Sequence, residues 1–346
     1  RSCTERSGGH INPEFLRSQL ELSTRVCHSI AEARADLVRL RSIIVEVARE
    51  HGLAPIAAST HPFGRATRQM PTEREQFFAL AREMQAAARR LMVCGMHVHV
   101  GIDDDDLRVD LMNQLSYFVP HLVALSCSSP FWEGERTGLM SFRLSLFSSL
   151  PRTGLPERFS SYGELRRHLD MLIRNGLIEN ASKMWWDVRP NPRYPTLEAR
   201  VMDCCTSIDD SMCLTALVVC LTRMLYRLRR SNQSWRWYKN VLIAENRWRA
   251  MRYSYDEQLL DLARGQLAPF AEIAEELIGL LREDAEALGC LRQVQDVRTI
   301  LSRGTSAHRQ IRTYEEARAA GASEREALRA VVDFLIRETA ELGGVA

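Results

Sequence analysis

Lysine is almost absent from this chain. Lys183 and Lys239 are the only two among 46 basic residues, so arginine carries nearly all the positive charge. Such a skew follows from codon composition more readily than from chemistry. It lowers what any single arginine signifies and raises the interest of Lys183. An excess of one charge sign is also missing: the net charge is +2, which offers no electrostatic footprint for nucleic acid. The one basic block, "RLRR" at Arg227 to Arg230, reads as the solvated C-terminus of a helix. Long hydrophobic runs are absent too. The longest, "MCLTALVVCLTRMLY", is interrupted by Arg223, and no membrane partner is expected. The opening "RSCTERSGGH" has no apolar core of a secretory signal. C-x-x-C pairs do not occur, the nine cysteines are an odd number, and adjacent Cys204 and Cys205 do not readily bridge each other. This usage excludes a disulfide framework and points to a reduced, cytoplasmic setting.

What the chain does contain is ordinary globular material: 346 residues, 45% hydrophobic and 26% charged, without internal repeats or low-complexity linkers. Residues 29–51 have helical spacing that stops at Gly52. Residues 73–92 read as a second helix, with Thr72 and Glu75 placed as a capping box. "DDDD", Asp103 to Asp106, opens a helix running to about Cys127, and its acids suit a helix N-terminus better than a metal site. Residues 128–162 are rich in Gly, Pro and Ser and read as a long loop of the kind that binds or covers a site. A helix at 162–175 precedes two strand candidates, "KMWWDVRP" and "TLEARVMD", and from about residue 208 the chain is helical, with breaks near Asn232, Gly265 and Gly304. The expectation is one α+β domain over 1–346, with a sheet-bearing part at 1–207 and a mostly helical part at 208–346.

Chemistry enters with "CGMHVHVGI". Strand alternation puts Met96, Val98 and Val100 on one face and His97 and His99 on the other. The two imidazoles lie about 7 Å apart at a rise of about 3.3 Å per residue. Three further segments alternate in the same way. "SQLELS" sets Gln19, Glu21 and Ser23 opposite Leu20 and Leu22. "TLEARVMD" sets Thr196, Glu198 and Arg200 opposite Leu197, Ala199 and Val201. "MWWDVRP" puts Trp185, Asp187 and Arg189 on one face. Each strand alone also reads as simply solvent-facing. Together they describe a sheet with a helix-covered apolar face and an open face of carboxylates, imidazoles and guanidiniums. Those groups suit a divalent cation such as magnesium or manganese, and anionic ligands.

"CGMHVHVGI", "SPFWEGERTG", "MWWDVRPNPRYPTLEARVMD" and "GTSAHRQ", with "PEFLRSQLELST" and "STHPFGRATRQ", resemble the carboxylate-amine ligase family, glutamate–cysteine ligase type 2, in order along nearly the whole chain. That family lies in the glutamine synthetase-like superfamily. The resemblance implies an antiparallel curved sheet with one face covered by helices. It also implies an ATP-dependent ligase that joins an amino-acid carboxylate to an amine through an acyl phosphate, with glutamate and cysteine as default substrates. By the same resemblance Glu21, His97 and Glu198 are metal ligands, and His99 contacts metal or nucleotide phosphate. Arg200 steadies phosphate or the substrate carboxylate. Lys183 and Arg189 are candidates for the nucleotide, and Arg143 for an anionic substrate. Trp186 reads as core. The family also suggests a homodimer.

Two departures accompany the resemblance. Family members begin with a glutamate-rich strand of the type "GVEEEF" that supplies metal ligands, and this chain has no such run near its start. Without it the metal site is expected to be incomplete. In "RWRAMRYSYDEQ", Ser254 and Tyr255 stand where the family has a glycine. Two other readings therefore stay open: a catalytically impaired homologue that binds nucleotide or a partner, and a metal-dependent amide hydrolase.

Overall fold

A computed structural model describes residues 2–342 of the chain. At its centre is a three-stranded antiparallel sheet with Thr196–Ala199 in the middle, Val98–Gly101 on one side and Val188–Pro190 on the other. The register fixes which side chains share a face. Val98 and Val188 flank Ala199, and Val100 and Pro190 flank Leu197. Between these apolar rows, His99 and Arg189 flank Glu198 and point the other way.

Helices cover the apolar face. Val98, Val188, Leu197 and Ala199 join one core with buried residues of helices Asp105–Leu115, Val119–Ser126 and Ile208–Arg230. The last is 23 residues long and, by length and composition alone, apolar enough to cross a membrane. It extends beyond the run seen in the sequence. In this structure its apolar positions are used in the core, where Leu214, Leu217, Leu221 and Leu225 are fully buried. Ser207 caps it by accepting from the Asp209 N–H, and three arginines occupy its last turn.

Several local expectations hold. Helix Ile30–Glu50 is capped by Ser29, and Asp104 accepts from the Leu107 N–H at 2.7 Å, so the acidic run caps a helix. The helix that follows Asp104 is broken by a 3₁₀ turn at Ser116–Phe118 before Val119–Ser126 resumes it.

Others need correction. The second helix spans only Glu75–Met84, and Arg74, not Thr72, stands at its N-cap without a side-chain bond. Thr72 instead donates to the Glu14 carbonyl, a tertiary partner that outcompetes the local cap. The strand that carries Glu21, Leu20–Leu22, pairs with Ile11–Pro13 in a separate hairpin, outside the central sheet. Its alternation is also reversed at one position. Gln19 is buried because its amide donates to the Val93 carbonyl at 2.9 Å, while Leu20 is 44% exposed. Residues 128–162 are an ordered connection that holds a small hairpin, Phe131–Trp132 with Glu135–Arg136, and a short helix, Phe142–Phe147. The helical part carries a hairpin unseen in the sequence, Leu259–Asp261 with Gln266–Ala268. Ser254, in place of the family glycine, adopts φ 56°, and its hydroxyl donates to the Ala124 carbonyl at 2.5 Å. A buried hydrogen bond thus accompanies the backbone strain there.

Candidate active site

Glu198 is the centre of the open face. It is 1% exposed, and both of its oxygens are engaged. Oε2 accepts from Arg189 Nε at 3.0 Å and from Asn191 Nδ2 at 2.8 Å. Oε1 accepts from Arg200 Nη1 and lies 3.6 Å from His97 Nδ1 and 3.8 Å from His99 Nε2. Burial alone would raise its pKa. The guanidiniums of Arg200 and Arg189, with His97, outweigh burial and hold the carboxyl well below the usual carboxylate range. Glu198 is therefore ionised at neutral pH.

The histidines shift downward. Enclosure by protein lowers His97 well below the ordinary imidazole value, and Arg200, whose Nη1 is 3.5 Å from His97 Nδ1, lowers it further against the opposing pull of Glu198. His99 is lowered by the same desolvation, and its Nδ1 is 3.0 Å from Thr196 Oγ1. Both imidazoles are thus neutral near pH 7 and retain a lone pair. Glu21 sits in the neighbouring hairpin, yet its carboxyl senses this cluster. Desolvation and Glu14 raise it, and Arg200 opposes them.

The remaining candidates are placed as follows. Arg143 is 4% exposed, and its guanidinium donates to the carbonyls of Val201 at 3.0 Å and Arg200 at 3.1 Å, with Asp203 3.5 Å away. It lies beneath the polar row with its donors committed to backbone, which corrects its expected place against substrate. Arg189 commits Nη1 to the carbonyls of Ser182 and Met184 and its Nε to Glu198, leaving little of its fork for a nucleotide. Lys183 reaches Glu83 at 3.7 Å. Trp186 packs on the main core, 5.8 Å from the Phe159 ring, as read from the sequence. Asp187 turns from the polar row to a two-point pair with Arg247, at 2.7 and 3.0 Å.

Sequence reasoning missed Asn191, Glu14 and Arg247. Asn191 stands in "RPNPRYP", a turn signal whose side chain happens to face Glu198. Arg247 comes from the helical part, and no local pattern marks it. The neutral imidazoles and ionised carboxylate are donors of the right chemistry for a divalent cation. Among the described residues, however, no three carboxylate, imidazole or thiol groups already surround one point, and two arginines contact Glu198.

Comparison with known proteins places the chain in a family. The model of glutamate-cysteine ligase family 2 (GCS2) matches residues 4–333. A protein of Rhodospirillum rubrum, provisionally named glutamate–cysteine ligase 2, is 56% identical over 339 residues, covering 98% of this chain and 87% of its own. A Jannaschia sp. protein with the same provisional name is 48% identical over 337 residues, covering 97% and 89%. Among solved structures, glutamate–cysteine ligase of Francisella tularensis in complex with AMP superposes with a TM-score of 0.64 at 15% identity, over 97% of this chain and 83% of that one. The Pup ligase PafA in complex with ADP gives 0.50 at 10% identity, over 90% and 65%. The fold is thus that of glutamine synthetase-like ligases, and the chain belongs to glutamate–cysteine ligase family 2, a family of ATP-dependent carboxylate–amine ligases.

Proposed function

We propose that the protein joins a carboxylate of glutamate to the amine of cysteine at the expense of ATP, in the cytoplasm. A carboxylate oxygen attacks the γ-phosphorus, the P–O bond to ADP breaks, and an acyl phosphate forms. The amine nitrogen then attacks the acyl carbon, phosphate leaves, and the nitrogen loses a proton. The observation that carries this reading is the row of Arg189, Glu198, His99 and His97 with Arg200 at its end. Two guanidiniums there contact a single carboxylate. Preorganised positive charge of this kind stabilises a transferring phosphoryl group.

Magnesium fits the donor chemistry. Glu21, His97 and Glu198 would hold it, and it would offset charge on the phosphate oxygens when bound. Arg200, now on Glu198, would be the guanidinium available to a phosphate oxygen. His99 faces the nucleotide phosphates, and Lys183 is the remaining candidate for nucleotide charge. A second reading, a homologue that binds nucleotide with little turnover, draws on the same site: Glu198 is already occupied by arginines.

One assay separates the two readings. The protein is incubated with ATP, magnesium, glutamate and cysteine, and ADP, phosphate and dipeptide are measured. ADP that appears only with the amino acids supports the ligase. Nucleotide binding without ADP supports the second reading. Amide cleavage without ATP would replace both with the hydrolase.

A further inference from the structure

Arg200 is aimed by residues that lie outside the polar row. Its N–H donates to the Asp187 carbonyl at 2.7 Å, and its own carbonyl accepts from Arg143 Nη2 at 3.1 Å. Its backbone is therefore held on both sides.

Each of these partners is itself braced. The Asp187 carboxylate takes a fork from Arg247, Nε to Oδ2 at 2.7 Å and Nη2 to Oδ1 at 3.0 Å. Arg143 is backed by Asp203 at 3.5 Å and by the Val201 carbonyl at 3.0 Å. Asp203 in turn accepts from the Ser128 N–H at 2.9 Å and from the hydroxyls of Ser129 and Ser141 at 2.7 and 3.0 Å. Even the space is reserved: a Cβ on Gly95 would fall 2.2 Å from Arg143 Nη2.

Asp187, Arg143 and Asp203 are all buried. Buried ion pairs seldom outdo well-packed apolar residues for stability. Two of them converge here on one backbone segment, the one that carries the guanidinium next to Glu198 and His97. Stability alone has no use for that convergence, whereas phosphoryl transfer does, because a displacement of about 1 Å at such a group costs about a hundredfold in rate.

We propose that Asp187 with Arg247, and Arg143 with Asp203, are two sets of positioning residues that clamp Arg200 from both sides. The helical half of the chain thereby takes part in the phosphoryl-transfer step. Arg247, on helix Asn240–Tyr253, is its contribution. The role in catalysis rests on the ligase reading, while the clamp itself does not.

The test uses the full chain and four variants: Asp187→Asn, Arg247→Lys, Arg247→Ala and, as a control, Asp210→Asn. The control breaks a comparable buried pair with Arg303 and Arg309, outside the row and not bonded to Arg200. Two quantities are read: kcat and KM for ADP formation, and hydrogen exchange of the Arg200 amide. Asp187→Asn and Arg247→Lys are expected to lower kcat by roughly 10- to 100-fold with KM for the amino acids near the parent value. They should also speed exchange at Arg200. Asp210→Asn should produce neither change. Added guanidinium should partly restore kcat in Arg247→Ala. The proposal is overturned if Asp187→Asn and Arg247→Lys keep kcat within about twofold and exchange at Arg200 like the parent. If the parent forms no ADP, the ligase reading fails by itself, and exchange at Arg200 still decides the clamp.

Discussion

Among the buried carboxylates paired with two arginines, Glu198 and Asp210 differ in their surroundings and in their titration. Asp210, in the helical part, faces Arg303 and Arg309, and a second acid, Glu338, also pairs with Arg309. Two acids there meet two guanidiniums. Glu198 meets Arg189 and Arg200 without a second carboxylate in contact, since Glu21 acts only at longer range, and the cluster opens past a partly exposed His99. The titration behaviour diverges accordingly. Burial prevails at Asp210 and raises its pKa despite the arginines, whereas at Glu198 the arginines prevail over burial and lower it. Two arginines in contact do not by themselves fix the direction in which a buried carboxyl shifts.

The largest effects come from breaking each cluster in turn. Asp210→Asn removes one of the two acids facing Arg303 and Arg309 and should act on stability alone, measured by urea unfolding, with ligase activity retained in the folded fraction. Glu198→Gln should do the reverse. It should abolish most ATP-dependent turnover, by about a hundredfold or more, for a smaller loss of stability. Equal activity losses in both variants would erase the distinction.

Acid titration sharpens the comparison at a smaller scale. Glu198 has a lowered folded-state pKa, so its contribution is fully present above the ordinary carboxyl value and disappears as pH falls through the folded one. Asp210 has a raised pKa, so its ionised form is the disfavoured one, and stability at that site improves as pH falls. His121 adds a third slope. Buried among aromatic rings, it is pushed down to about 4, so folding favours the neutral ring and stability is lost below about pH 6.5 until about pH 4. That loss is on the order of 3 kcal/mol. Melts from pH 7 to 4 should therefore flatten in His121→Phe and steepen in Asp210→Asn, whereas Glu198→Gln should change the slope only below the ordinary carboxyl value.

The smallest effect belongs to an exposed arginine–carboxylate pair. Arg298 and Glu275 make two bonds of 2.6 Å on the surface. Because water screens both, Arg298→Ala should leave the melting temperature and turnover unresolved from the parent. A clear shift would mean that burial is not what distinguishes these clusters.

The polar row could be read from the sequence because a period of two is local. "MHVHV" and "LEARV" declare which residues share a face, and the register then sets His99 beside Glu198. Periodicity does not say which strands are neighbours, so the Glu21 strand was expected in the central sheet and lies in its own hairpin. Ion pairs across long separations leave no periodic trace either. Arg143 was expected, by resemblance, against an anionic substrate, and its partners 57 and 58 residues away are backbone carbonyls. Thr72 was expected to cap a helix by a local rule, and a distant carbonyl claimed its hydroxyl.

The pair of Asp187 and Arg247 spans 60 residues of chain. Because a ribosome delivers the chain from its N-terminus, every residue of the polar row is made well before the helix that braces it. A nascent chain halted before Arg247 carries the complete row with the Asp187 carboxylate unmatched, while the core that backs the sheet still lacks later helices such as Phe270–Ala287. Competence for catalysis is thus a late event in biosynthesis, and a fragment ending near residue 207 is a poor starting point for a minimal enzyme.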